Sequence, residues 1–143
     1  MYNPWSPTVD EVREWAYDSN EPEPCQDWDL ALSWAQHERA YLELASDEAC
    51  PKRRFFLGVL YFMVGDAIRS EYRSRPRPII EGLIDRGNDY RHRDIKRWQE
   101  RSRQLLKQSD LFDYGDWCGG GLASENQALP SNDSQFRRVK EPS

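Results

Sequence analysis

The side chains best suited to acid–base chemistry are two histidines and an aspartate that ends an uncharged run. His37 precedes Glu38, but neighbouring helical residues point about 100° apart, so Glu38 does not orient the His37 ring. Asp66 lies just beyond the uncharged residues 55–64. Because a buried unpaired carboxylate is costly, we expect an ion pair with Arg69 or with an arginine of a later helix. We favour structural roles for His37 and Asp66 over catalytic ones.

Arg86 and His92 are separated by five residues in the segment RGNDYRH. This spacing resembles the Arg-x4-6-His element of HEPN-type ribonucleases, which are all-helical proteins. The resemblance implies that Arg86 would stabilise a phosphate and that His92 would act as general base. It covers seven of the 143 residues, and Gly87 and Asn88 predict a helix end where the family has a helix start in a dimer cleft. We assign no catalytic residue and keep this ribonuclease as the alternative.

A basic segment at 91–107 is a candidate for phosphate binding. Its central candidates are Arg93, Lys96, Arg97 and Arg101. Positions 93, 97 and 101 share one helical face, and phosphate contacts there would make binding strongly dependent on salt. The net charge of −5 and the interrupting Asp94 and Glu100 oppose this interpretation. We favour a solvated or partner-facing helix and retain nucleic-acid binding as an alternative.

Metal and cofactor sites are not predicted. The aspartates at 110, 113 and 116 lack the spacing of a calcium loop, and two histidines without paired cysteines do not form a zinc site. There is also no glycine-rich phosphate loop. The cysteines are odd in number and far apart, which favours a reducing, cytoplasmic location. They are Cys25, Cys50 and Cys118.

The uncharged run 55–64 predicts the element that positions everything else. A helix that is apolar on every side must be buried on every side. At 1.5 Å per residue the run measures about 15 Å, half the thickness of the hydrocarbon core of a membrane. We therefore predict a buried central helix at about Pro51–Tyr72 and no membrane span.

The remaining helices are predicted from caps and periodicity. Thr8 and Glu11 have the capping-box spacing at the start of a first helix. Further helices are expected from Asp27 or Asp29 to Ala45, at Ile79–Arg86 with a left-handed Gly87 after it, and at His92–Lys107. The sequence thus predicts an all-α domain over 1–118, a compact bundle or short right-handed helical array of about five helices. The polar residues 119–143 predict a disordered, flexible tail.

Charge and aromatic content favour binding over catalysis. Residues 1–51 contain twelve acidic and two basic side chains, whereas 52–107 contain fifteen basic and seven acidic ones. We expect these segments to lie against each other, with an acidic surface for a basic partner as the alternative. The function we favour is non-enzymatic protein binding, as an adaptor or an immunity- or antitoxin-like inhibitor, with a homodimer possible. Candidate contact residues on the second helix are Trp28, Trp34, His37 and Tyr41.

Overall fold

The computed structural model describes residues 3–113 and Trp117. This part of the chain is all-helical, and no strand occurs in it. Its α-helices are α1 (Val9–Ala16), α2 (Trp28–Trp34), α3 (Glu38–Ser46), α4 (Arg53–Arg69), α5 (Arg77–Arg86) and α6 (Arg93–Lys107). One 3-10 turn, Gly87–Asp89, lies between α5 and α6, and another, Ser109–Leu111, lies after α6. Cys118 and the tail predicted at 119–143 lie outside the described residues.

Helix α4 is the centre of the fold, as its uncharged run predicts. It packs against α2, α3, α5 and α6. Seven of the ten residues at 55–64 are buried, and Phe55, Gly58 and Phe62 are half-buried along one stripe. Among the helices described here, none has the length and hydrophobicity required to cross a lipid bilayer.

The acidic N-terminal segment is attached to α4 through backbone carbonyls. At the start of α1, the Glu11 amide donates to Thr8 Oγ1 over 3.1 Å and the Thr8 amide donates to Glu11 Oε1 over 2.9 Å, which confirms the capping box. Lys52, just before α4, donates from Nζ to the carbonyls of Trp15 and Glu21 over 2.9 and 2.6 Å. Its ammonium also lies 3.6 Å from the centroid of the Trp15 ring. Contacts between elements far apart in sequence therefore set the position of α1.

The single second helix predicted up to Ala45 is wrong, because the chain leaves the helical conformation between α2 and α3. Ala35 is extended, with φ −75° and ψ 154°. The carbonyls exposed by this break are satisfied from elsewhere in the chain. The Tyr41 hydroxyl donates to Leu32 O over 2.7 Å, and the Arg75 guanidinium donates to Ser33 O. These tertiary hydrogen bonds replace intrahelical ones, so residues 3–113 contain six α-helices rather than five.

The left-handed Gly87 predicted at the end of α5 is also wrong. Gly87 has φ −59° and ψ −21°, and it begins the 3-10 turn. The absence of a side chain at Gly87 makes room for Gln99, because an added Cβ would lie 2.7 Å from Gln99 Cδ and would displace the Gln99 side chain. Gln99 donates from Nε2 to Ile84 O over 2.7 Å and to Asn88 Oδ1 over 3.0 Å. Because Gly87 has no side chain, Gln99 of α6 packs against it and binds the Ile84 carbonyl near the end of α5.

Candidate functional site

A groove of about 790 Å³ separates α5 from the junction between α2 and α3. One wall consists of Ile79, Gly82, Leu83 and Arg86, whose spacing of i, i+3, i+4 and i+7 places them on one face of α5. Trp34 stands on the opposite wall, where α2 ends. We call this concavity the Trp34 groove.

Two exposed apolar side chains line the Trp34 groove. Among the described residues four large hydrophobic side chains are exposed, namely Trp5, Tyr17, Trp34 and Ile79. Trp34 and Ile79 are 58% and 54% exposed, and both line the groove. Two solvent-exposed apolar groups on facing walls of one concavity are typical of a surface that binds another molecule.

The charged side chains of the Trp34 groove are mainly basic. Arg86 is exposed, and its guanidinium has no partner in the part of the chain that the structure describes. Arg75 is half-buried and donates to Ser33 O, and Glu38 is the acidic side chain among the described lining residues. The groove therefore combines an apolar surface with two arginines.

The link between α4 and α5 has an unusual backbone conformation beside the groove. Glu71 and Tyr72 are consecutive non-glycine residues with φ of 55° and 64°, in the left-handed region. Each such residue costs on the order of 1 kcal/mol or more, so surrounding contacts must hold it in place. The Tyr72 amide donates to Ala67 O over 2.6 Å, which reverses the chain at the end of α4. This reversal places Ser74, Arg75 and Pro76 at the end of the groove.

The structure does not bring Arg86 and His92 into one pocket. Arg86 lines the Trp34 groove, and His92 does not. His92 is buried at the start of α6, where Nδ1 accepts from the Asp94 amide over 3.1 Å and Nε2 lies 2.6 Å from Glu48 Oε1. These partners assign the proton of the neutral ring to Nε2, which donates to Glu48. With both ring nitrogens engaged, His92 has no free lone pair for a general base.

The hydrogen bond between His92 and Glu48 predicts a loss of stability in acid. The bond from His92, followed by the charge of Arg53, lowers the pKa of Glu48 from its usual 4.5. A carboxylate with a lowered pKa stabilises the fold above its unfolded pKa, and this contribution disappears as the pH falls through the folded value. We expect the free energy of unfolding to decrease from about pH 5 to pH 3, and to decrease less in Glu48→Gln. Urea denaturation at each pH measures this dependence.

Glu100→Gln is the control for that measurement. Glu100 is exposed, and its carboxylate has no ion-pair partner within residues 3–113. The free energy of unfolding of Glu100→Gln should change with pH as that of the unmodified protein does. If the free energy of unfolding falls equally steeply in acid for Glu48→Gln and for the unmodified protein, the assigned role of Glu48 is contradicted.

His37 and Asp66 occupy the structural positions favoured above. His37 is half-buried just before α3, with Nε2 3.0 Å from Pro7 O. Asp66 is buried, and its Oδ1 lies 3.3 Å from Nη2 of Arg69. Neither side chain lines the Trp34 groove. Within the described part of the chain, no group of three or more metal-ligating side chains is arranged to hold a metal ion.

Two of the aromatic residues predicted to contact a partner belong to the core. Trp28 and Tyr41 have no exposed surface, and the Trp28 indole donates to Pro4 O over 2.7 Å. Burial raises the pKa of the Tyr41 hydroxyl, which donates to Leu32 O. This placement corrects the prediction for both residues, because a side chain enclosed by the core cannot contact a partner. Trp34 remains a candidate contact residue.

The basic face predicted on α6 is divided in the structure. Arg93 and Lys96 are exposed, whereas Arg97 and Arg101 are half-buried. The Arg101 guanidinium lies 5.4 and 5.3 Å from the ring centroids of Tyr61 and Trp117. Positions 93, 97 and 101 therefore do not form one open row of cations.

Acidic side chains between residues 10 and 29 are mostly exposed. The exposed ones are Asp10, Glu14, Asp18, Glu21, Glu23 and Asp27. Burial and then the charges of Asp29 and Asp27 raise the pKa of Glu23, because these carboxylates lie close together. This surface also carries the exposed Tyr17, whose hydroxyl donates to Asp47. Asp47 raises the pKa of Tyr17 to about 12, so the hydroxyl stays protonated.

The sequence prediction missed Ile79, Gly82 and Arg75 as groove residues. One signal was present, since Ile79 and Ile80 are adjacent and a helix directs adjacent side chains to different faces. Ile80 is fully buried, and Ile79 points into the groove. Arg75 gave no such signal, because its position depends on the backbone reversal at residues 71–72.

Comparison with known proteins identified no relative. No protein-family model, curated protein or solved structure matches this chain.

Proposed function

We propose that this chain is a non-enzymatic protein-binding domain and that the Trp34 groove is its binding surface. The observation that carries the proposal is the pairing of exposed Trp34 and Ile79 across one groove. Tryptophan and arginine dominate the binding energy of many protein interfaces, and Trp34, Arg75 and Arg86 all line this groove. An adaptor and an inhibitor of another protein would both use such a surface.

The geometry favours a protein partner over a catalytic role. A catalytic pocket gathers titratable side chains around one point, whereas His37, Asp66 and His92 all lie outside the groove. It also favours a protein over a nucleic acid. Arg101 is half-buried beside aromatic rings and Arg103 contacts Asp85 over 2.9 Å, so α6 presents fewer free cations than its sequence indicates.

Trp34→Ala is expected to weaken partner binding by at least about 30-fold, equivalent to about 2 kcal/mol. The full chain is used as bait in extract of its source cell, at low and at high salt. A protein retained by the unmodified bait is then purified, and its Kd for each variant is measured by calorimetry. The physical reason for the loss is removal of a large apolar contact that is exposed in the free chain.

Trp5→Ala is the matched control, because Trp5 is 54% exposed and does not line the groove. It should bind the partner like the unmodified protein. Equal retention of the partner by Trp34→Ala, or retention of nucleic acid alone, would contradict the proposal.

A further inference from the structure

We infer that the Trp34 groove accepts an amphipathic α-helix of the partner protein, with carboxylates beside its apolar stripe. This inference rests on the proposed function and adds the chemistry of the occupant. Three features of the groove carry it: a glycine in the middle of one wall, the absence of other peptide-binding geometries, and the placement of the arginines.

The first feature is Gly82, which lies inside α5 and faces the groove. Glycine is a poor helix former, so a helical glycine usually has a packing reason. Among the described residues we find none, because an added Cβ would meet no atom of this part of the chain within 4 Å. The missing side chain instead leaves the α5 backbone open to close approach by the occupant, with Ile79 one turn before it.

The second feature is the shape of the groove walls. Proteins bind peptides as an added β-strand, as a polyproline segment on several aromatic rings, or as an amphipathic helix in an apolar groove. An added strand needs a sheet edge, and residues 3–113 contain no strand. Trp34 is the one aromatic ring among the described lining residues, too few for polyproline recognition. A helix fits, since Ile79, Gly82 and Arg86 lie at i, i+3 and i+7 and form two turns of an exposed helical face.

The third feature is charge. Arg75 lies before the start of α5 and Arg86 at its end, so the two arginines lie toward opposite ends of the groove. Arg86 is exposed and unpaired within the described part of the chain. Facing carboxylates would therefore form charge-assisted hydrogen bonds with it. A partner helix rich in lysine would meet repulsion at the same positions.

The test is a selection of peptides on the full-length protein. Two displayed libraries are used, one of amphipathic helical 18-residue peptides and one of extended proline-containing peptides. Peptides are kept when they bind the unmodified protein and Trp5→Ala but lose binding to Trp34→Ala. We expect the survivors to be helical, with apolar residues at i, i+3 or i+4, and i+7, and to carry more acidic than basic residues.

Two variants then test the contacts with a surviving peptide. Gly82→Ala should weaken its binding at least about tenfold while raising the Tm of the free protein, because alanine favours the helix but blocks close approach. Its control is Glu81→Ala, at an exposed neighbouring position of α5 outside the groove lining. Arg86→Glu should weaken the binding of acidic peptides about tenfold. Arg91→Glu, at another exposed arginine, should leave their binding unchanged.

The outcomes separate this inference from the proposed function. Surviving peptides that are extended or basic would overturn the inference and leave protein binding at the groove in place. Unchanged affinity in Gly82→Ala or in Arg86→Glu would overturn the helical or the acidic part, respectively. If no peptide depends on Trp34, the inference fails, whereas the assignment of the groove is decided by whether Trp34→Ala loses the partner protein retained from the extract.

Discussion

Trp28→Ala is expected to lower the free energy of unfolding by about 3–5 kcal/mol. The Trp28 side chain is completely buried, and its ring centroid lies 4.6 Å from that of Trp15 in an edge-to-face contact. It also stacks on Phe55 of the central helix with 5.9 Å between centroids. Truncation leaves a cavity between α1, α2 and α4, and it removes the partner of the Pro4 carbonyl. Urea denaturation followed by circular dichroism measures the change.

Trp34→Ala is the matched control for this prediction, since Trp34 lies in the same helix but is 58% exposed. Its free energy of unfolding should change by no more than about 0.5 kcal/mol. A large loss in Trp34→Ala would show that Trp34 packs against the fold, and it would remove the basis of the groove proposal. A small loss in Trp28→Ala would contradict the assignment of Trp28 to the core.

Asp94→Ala is expected to destabilise the protein by about 3–5 kcal/mol, the usual cost of removing one partner of a buried ion pair. Asp94 Oδ2 lies 2.8 Å from Nη2 of Arg53, and the two side chains are 8% and 12% exposed. Arg54 lies 3.9 Å from the same oxygen. Without the carboxylate, the largely buried Arg53 guanidinium loses its ion-pair partner. Asp94 also lies in the first turn of α6, where a negative charge is favourable.

Asp85→Ala is the control for Asp94→Ala, because Asp85 belongs to an ion pair on the surface. Asp85 lies 2.9 Å from Arg103, but the side chains are 68% and 43% exposed, so the expected loss is below about 1 kcal/mol. A second variant, Arg53→Met with Asp94→Leu, removes both charges. It should recover much of the stability that Asp94→Ala loses, because apolar replacement of a whole buried pair is often tolerated. Equal losses in Asp94→Ala and Asp85→Ala would contradict the role given to burial.

The elements predicted best are those whose cause is local. The capping box at Thr8 depends on two side chains three residues apart, and the structure contains both of its hydrogen bonds. Burial of α4 follows from its own composition, because a helix without a polar face has no favourable exposed position. The Asp66–Arg69 ion pair follows from the spacing of i, i+3 on one helix.

The elements predicted incorrectly depend on contacts between distant residues. The break between α2 and α3 has no proline or glycine to signal it, and bonds from Tyr41 and Arg75 to Leu32 and Ser33 stabilise it. The space available at Gly87 is limited by Gln99, twelve positions later. Helical periodicity contains no information about such partners.

By itself the sequence determined an all-helical chain with a buried central helix, because hydrophobic composition and capping act within one element. The tertiary structure alone decided which aromatic side chains remain exposed. Trp28 and Trp34 belong to one short helix, yet the core encloses the first and the groove exposes the second. The physical reason is that the exposure of a side chain depends on the elements packed around it. For Trp34 the facing element is α5, and the link between α4 and α5 sets the position of α5.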